Sequence, residues 1–163
     1  MATGKRDTLK SHVMTTQSMI RRLVDDISEE ESMKTLGANP NHIKWLTGPL
    51  IFTAMLAGTA AGGKLDMPDG WGDIFRRGSQ SPDKTPIFPS MPAVKGVLYD
   101  FQDRVNGALD QVDDEFLDAK RMIAPNWEDT PISAILFFCA HDFYHAGQIV
   151  MIRRAIGRER SFG

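Results

Sequence analysis

The sequence predicts an all-α protein, an up-down-down-up four-helix bundle with a long ordered crossover between its second and third helices. Three observations carry this prediction. Four segments repeat apolar residues at intervals of three and four, the spacing of one helix face. The outer two links between them are short and the central one is long. The last segment carries both a start and a stop signal. At 163 residues the chain fits one domain, residues 1–163, large enough to bury a core without disulfide or metal staples.

The first helix is expected over residues 7–29, where Leu9, Val13, Ile20, Leu23, Val24 and Ile27 keep the period and Thr16 fills its one gap. His12 lies beside that stripe and reads as a surface group. Asn39 and Pro40 signal the start of a second helix over residues 41–61, apolar nearly all round and therefore buried on most sides or used between subunits. Pro49, next to Gly48, removes one backbone hydrogen bond and predicts a kink.

Residues 62–90 are rich in Gly, Pro, Asp and Ser, yet carry Trp71, Phe75 and Phe88. Those aromatics favour an ordered crossover packed on the bundle, with a lid as the alternative. The third helix follows Ser90 to about Ala119 on Val94, Val97, Leu98, Phe101, Val105, Leu109, Val112 and Phe116. The acids Asp103, Asp110, Asp113, Asp114 and Glu115 fall mostly on its solvent face. The fourth helix spans residues 131–154: Thr130 caps it, Pro131 suits its first position, and Gly157 sits beyond its basic last turn. Short outer links make helices 1 and 2, and 3 and 4, expected antiparallel neighbours, and the long link lets helix 3 run parallel to helix 2.

Chemistry concentrates in the fourth helix. His141 and His145 are one turn apart on a face shared with Ile135, Phe138, Gln148, Ile149 and Ile152. An imidazole on an apolar face needs a partner. Two readings stand: a pair aimed at one divalent transition metal, or core histidines hydrogen-bonded to neighbours. Cys139 is two residues from His141 and points away from it, which argues against a Cys-His dyad.

Composition excludes other classes. A net charge of −2, from 19 basic and 21 acidic residues, gives no field for a nucleic-acid binder. Arg153, Arg154, Arg158 and Arg160 read as a solvated helix end. The GGK run at residues 62–64 follows a helix and lacks phosphate-loop spacing. One cysteine fits a reducing compartment, and no apolar run is of signal-peptide or membrane-spanning length, so a soluble cytoplasmic protein is expected, without membrane or nucleic-acid partners.

The segments PNHIKWLTGPL, WGDIFRRGS, FPSMPAV and HDFYHAGQIVMIRR together resemble the DinB/YfiT-like superfamily over nearly the whole chain, in order and with its spacing. The resemblance implies an up-down-down-up bundle, a homodimer, and a divalent metal, nickel or zinc, held by one histidine of helix 2 and two of helix 4. It also implies thiol-dependent transferase or hydrolase chemistry, with a small molecule or low-molecular-weight thiol as partner. His141 and His145 match the helix-4 ligands, and Gln148 matches a frequent neighbour. The helix-2 ligand position, four residues after Trp45, is Pro49, which has no donor atom. His42 lies seven residues earlier, about 10 Å along the axis, and serves as a third ligand only if helix 2 shifts or unwinds. Trp45 and Tyr144 complete the expected pocket with Gln148. The chain is thus read either as a metal-dependent hydrolase or S-transferase with a partial His site, or as a non-catalytic, metal-free bundle that binds a small ligand or acts as a dimeric interaction module.

Overall fold

Seven helices and one two-stranded antiparallel sheet make up residues 4–75 and 88–158, the part of the chain that the computed structural model describes. In chain order they are α1 (Lys5–Val24), α2 (Glu29–Ser32), α3 (Ile43–Ala60), α4 (Trp71–Phe75), α5 (Met91–Leu109), α6 (Asp114–Asp118), β1 (Arg121–Ala124), β2 (Trp127–Asp129) and α7 (Pro131–Ala155). Residues 76–87 of the expected crossover, which include the end of the WGDIFRRGS segment, and Arg160 lie outside the described residues.

The four long helices α1, α3, α5 and α7 match the four periodic segments. Their neighbours differ from the expectation: α3 packs on α5 and α7, and α1 packs on α7 and α5. The outer links are therefore not tight hairpins. One contains α2 and the other contains α6 and the β1–β2 hairpin, so each has the length to cross an end of the bundle to the far helix. Polar cross-links set the register of α1 on α5: Lys10 pairs with Asp110, Gln17 donates to the Gln102 carbonyl, and Arg21 reaches Gln102 and Asp103.

The third helix ends at Leu109, ten residues before its expected end. Asp113 accepts the Phe116 N–H and caps a new helix, α6, in which Leu117 is fully buried. A competing N-cap thus restarts the chain where apolar spacing alone suggested continuity. Asp114 is more than a solvated acid, since its carboxylate accepts the N–H groups of Lys5 and Arg6 at the start of α1. The basic helix end also differs from its reading: Arg153 is buried, bonded to the Leu23 carbonyl and doubly to Asp26, and Arg158 is bonded doubly to Glu31.

Pro49 does not break α3, which is helical from Ile43 to Ala60. Gly48 has a separate use. A Cβ there would lie 2.2 Å from Cδ1 and 2.6 Å from Cβ of Phe75, so the bare backbone seats α4 on α3. Gly48→Ala is expected to destabilise by about 1–3 kcal/mol, because the overpacking exceeds the gain of about 1 kcal/mol in helix propensity. Thermal denaturation checks this; an unchanged or raised Tm would contradict it.

The core splits into two apolar clusters. One joins Ile20, Val24, Leu46, Leu50, Leu98 and Ile149, among others, and the second joins Val13, Ala57, Val105, Leu109, Ile135 and Phe138. Between them lies a polar layer in which Thr16, Gln17, Thr53 and Gln102 are buried. With Asp142 and Cys139 they line a cavity of about 20 Å³, room for a single water.

Candidate functional site

The helix that carries the histidines is fixed at both ends. The Thr130 hydroxyl accepts the Ser133 N–H at 3.3 Å, Asp129 accepts from the Thr130 N–H and the Ser133 hydroxyl, and Gly157 closes the far end at φ 81°. On that frame His141 is half-buried, His145 is 9 % exposed, and their rings meet edge to face with centroids 4.7 Å apart. Nδ1 of His145 lies 3.1 Å from Oε1 of Gln148. With a carbonyl oxygen there, the imidazole carries its proton on Nδ1 and leaves the Nε2 lone pair for a ligand. Burial, with the adjacent His141 second, lowers the His145 pKa below its usual value and favours that neutral form. Tyr144 stands 64 % exposed with its ring edge toward His145, 5.1 Å between centroids.

The structure thus gathers His141, His145, Gln148 and Tyr144. It places His42 and Trp45 together elsewhere, at the start of α3. His42 is the N-cap of that helix: its Nδ1 accepts the Trp45 N–H at 3.1 Å, and its ring sits edge-on to Phe88. One of its two nitrogens is therefore committed to the helix start, and burial pushes its pKa down to about 4. Trp45 packs against the apolar cluster at this end.

A three-ligand metal centre does not fit this donor set. Among the described residues no three His, Cys, Asp or Glu side chains are grouped to hold a metal ion. The apolar clusters pair the first half of α3 with the second half of α7. Thr53 donates to Asp142, and one turn back along α3 and one turn on along α7 bring Pro49 to the level of His145. Pro49, whose side chain has no donor atom, therefore stands at that level of the bundle.

The residue that sequence reasoning underrated is Asp142. It shares the core stripe of Ile135, Phe138, His145, Ile149 and Ile152, a spacing visible in the sequence, whereas His141 sits at the edge of that stripe. The residue as a whole is only half-buried, but its carboxyl accepts the Thr53 hydroxyl at 2.5 Å and lines the interior cavity. Burial raises its pKa from 3.8 to about 8, against the opposing Thr53 hydrogen bond. Cys139, on the same cavity, is buried with its thiol pushed up to about 11, so it is a poor nucleophile at neutral pH. An open depression of about 690 Å³, lined by Gly62, Lys64, Arg104 and Phe116 among others, lies apart from the histidines.

The family model of the DinB superfamily matches residues 13–149. Among solved structures, the crystal structure of a conserved protein from Enterococcus faecalis matches with a TM-score of 0.61 and 18% sequence identity, covering 96% of this chain and 100% of that one. No curated protein matches the sequence.

Proposed function

From the premise that the chain belongs to the DinB superfamily, we propose that it is a metal-free bundle in which the family's metal position is lost and the His141/His145 pair serves a small polar ligand. We take its four long helices in the order up-down-down-up, which the Lys10–Asp110 and Arg21–Asp103 pairs of α1 on α5 support. The observation that carries the proposal is Pro49 at the level of His145, with no third donor grouped with the pair among the described residues. The Nε2 lone pair of a neutral His145 accepts a hydrogen bond from an O–H, N–H or S–H group, and Tyr144 and Gln148 flank it. A low-molecular-weight thiol suits this site, since a lone pair on a buried imidazole can orient or deprotonate it.

A second reading keeps the metal: two imidazoles from one helix, completed by water, would hold nickel or zinc and serve a hydrolase or S-transferase. The free Nε2 of His145 favours it, and the lost third ligand weighs against it. We place the protein in the cytoplasm on this reading as on the first. Elemental analysis of protein purified without chelators or an affinity tag decides between them. The metal-free reading predicts far less than one metal per chain in wild type and in His141→Ala alike. A stoichiometric metal lost in His141→Ala would overturn it.

A further inference from the structure

The open depression of about 690 Å³ at the far end of α3 takes no part in the chemistry above. Its edge at Ala61 lies about 18 Å along α3 from Pro49, at about 1.5 Å per residue, so it is separate from the histidine pair. The GGK run lacks phosphate-loop spacing, and the structure gives its glycines another task. The Gly63 N–H donates to the Gly58 carbonyl at 2.8 Å and the Gly62 N–H to that of Thr59 at 3.0 Å, with Gly62 at φ 85°, a Schellman stop for α3. Both N–H groups are used by the helix end, so recognition here falls to side chains.

Those side chains divide by chemistry. Ala61, Gly62, Gly63, Gly107 and Ala108 line the depression without bulk and form its floor. Phe116 is an apolar wall held in place: the Arg121 guanidinium lies 3.7 Å from its ring centroid, and a Cβ at Gly62 would come within 3.1 Å of its Cζ. Arg121 also donates to the Phe116 carbonyl at 3.1 Å. Two cations complete the lining. Arg104 donates to the Lys64 carbonyl at 2.6 Å, which ties the segment after α3 to α5, and meets the Asp100 carboxylate only at 3.5 Å. Lys64 is exposed and enters no ion pair among the described residues. Asp113, the acid in the lining, has an oxygen committed to the Phe116 N–H at 2.8 Å.

We propose that this depression binds a small organic acid with a flat apolar body, its anionic group on Lys64 and Arg104 and its body on the bare floor against Phe116. The volume falls in the range of ligand pockets, ~300–1,000 Å³. An anion there gives Lys64 the counter-charge it lacks, and a ring laid over Gly107 and Ala108 covers apolar surface that water otherwise wets. Because Phe116 and Arg104 are already held by their own contacts, little ordering accompanies binding. An inorganic anion forgoes the apolar contact, and a neutral ring forgoes the charge.

Amide NMR spectra of the full chain titrated with naphthoate test the proposal. Naphthoate is expected to shift the Gly62, Gly63 and Gly107 amides saturably, with uncharged naphthalenemethanol and inorganic phosphate each binding at least about 10-fold more weakly. Gly107→Leu plugs the floor without a clash, since a Cβ at Gly107 meets nothing within 4 Å, and Lys64→Ala removes the unpaired cation. Circular dichroism confirms that both variants fold. Each should raise the naphthoate dissociation constant at least about 10-fold, whereas Lys64→Arg should keep the wild-type value. No saturable shift of these amides at millimolar naphthoate would overturn the proposal. So would phosphate or naphthalenemethanol binding as tightly as naphthoate, an affinity unchanged in either folded variant, or shifts centred on Phe137 and Tyr144 of α7 instead.

Discussion

Asp142→Asn is expected to stabilise the folded chain by up to about 4 kcal/mol at pH 7, an unusual sign for a change at a buried polar residue. The wild-type carboxyl titrates at about 8 when folded and near 3.8 in the unfolded chain. Between those values the folded state holds a proton that the unfolded state has released, so wild-type stability falls as pH rises, by up to about 1.4 kcal/mol per unit. Asparagine keeps an oxygen for the Thr53 hydroxyl and has no proton to gain. The groups with depressed pKa values act elsewhere or in the opposite direction. Asp26, Glu29 and Glu31 stabilise above their unfolded values and lose that contribution only as pH falls below about 4.5. His42, neutral down to about 4, costs stability as pH falls below 6.5. Both proteins carry these contributions, so the difference between their urea-unfolding curves from pH 5 to 9 isolates Asp142. The variant should gain on wild type as pH rises to 8; parallel pH profiles would contradict the assignment.

Glu29→Ala should cost about 3–5 kcal/mol, although Glu29 itself is largely exposed. Its carboxylate joins three elements: it pairs with the Lys44 ammonium of α3 and accepts the Met91 N–H at the first turn of α5 at 2.6 Å. Lys44 is 2 % exposed, so losing the carboxylate leaves a cation in the core with no counter-charge from Glu29. That desolvated charge, rather than the lost attraction, sets the size of the effect. Lys44→Met in the same chain removes the charge and fills the volume, so the double variant should recover most of the loss. Chemical denaturation of the four proteins gives the coupling directly, and additive losses would contradict this account.

The helices were legible because their apolar period was strong: Leu9 to Val24, Val94 to Leu109 and Ile135 to Ile152 each trace a buried stripe, although α1 ends at Val24, five residues before its expected end, and the buried Ile27 lies beyond it. What failed was anything decided by polar capping or by long-range charge. Asp113 restarts the chain as α6, and Arg153, a solvated helix end by its local pattern, is buried by partners more than a hundred residues away, Leu23 and Asp26. The links follow the same logic: a span that includes α2, or α6 and a hairpin, is short in sequence yet reaches across a bundle end. At the site, the spacing of His141 and His145 and the absence of a donor at Pro49 were both readable, whereas the role of His42 as an N-cap required the Trp45 N–H to be seen beneath it. Asp142 was legible in principle as a charge on the core stripe, but the neighbouring histidines drew the stripe one residue off.

On the proposed reading, Pro49 stands where a third metal ligand would be, and His141 and His145 occupy the other two positions. The most direct test is the metal-to-protein ratio of wild type and Pro49→His, each purified without chelators or an affinity tag and then equilibrated with nickel or zinc. The account predicts that Pro49→His binds about one metal per chain and loses it on His141→Ala, while wild type stays far below one. A wild type that already binds one metal per chain through His141 would contradict it.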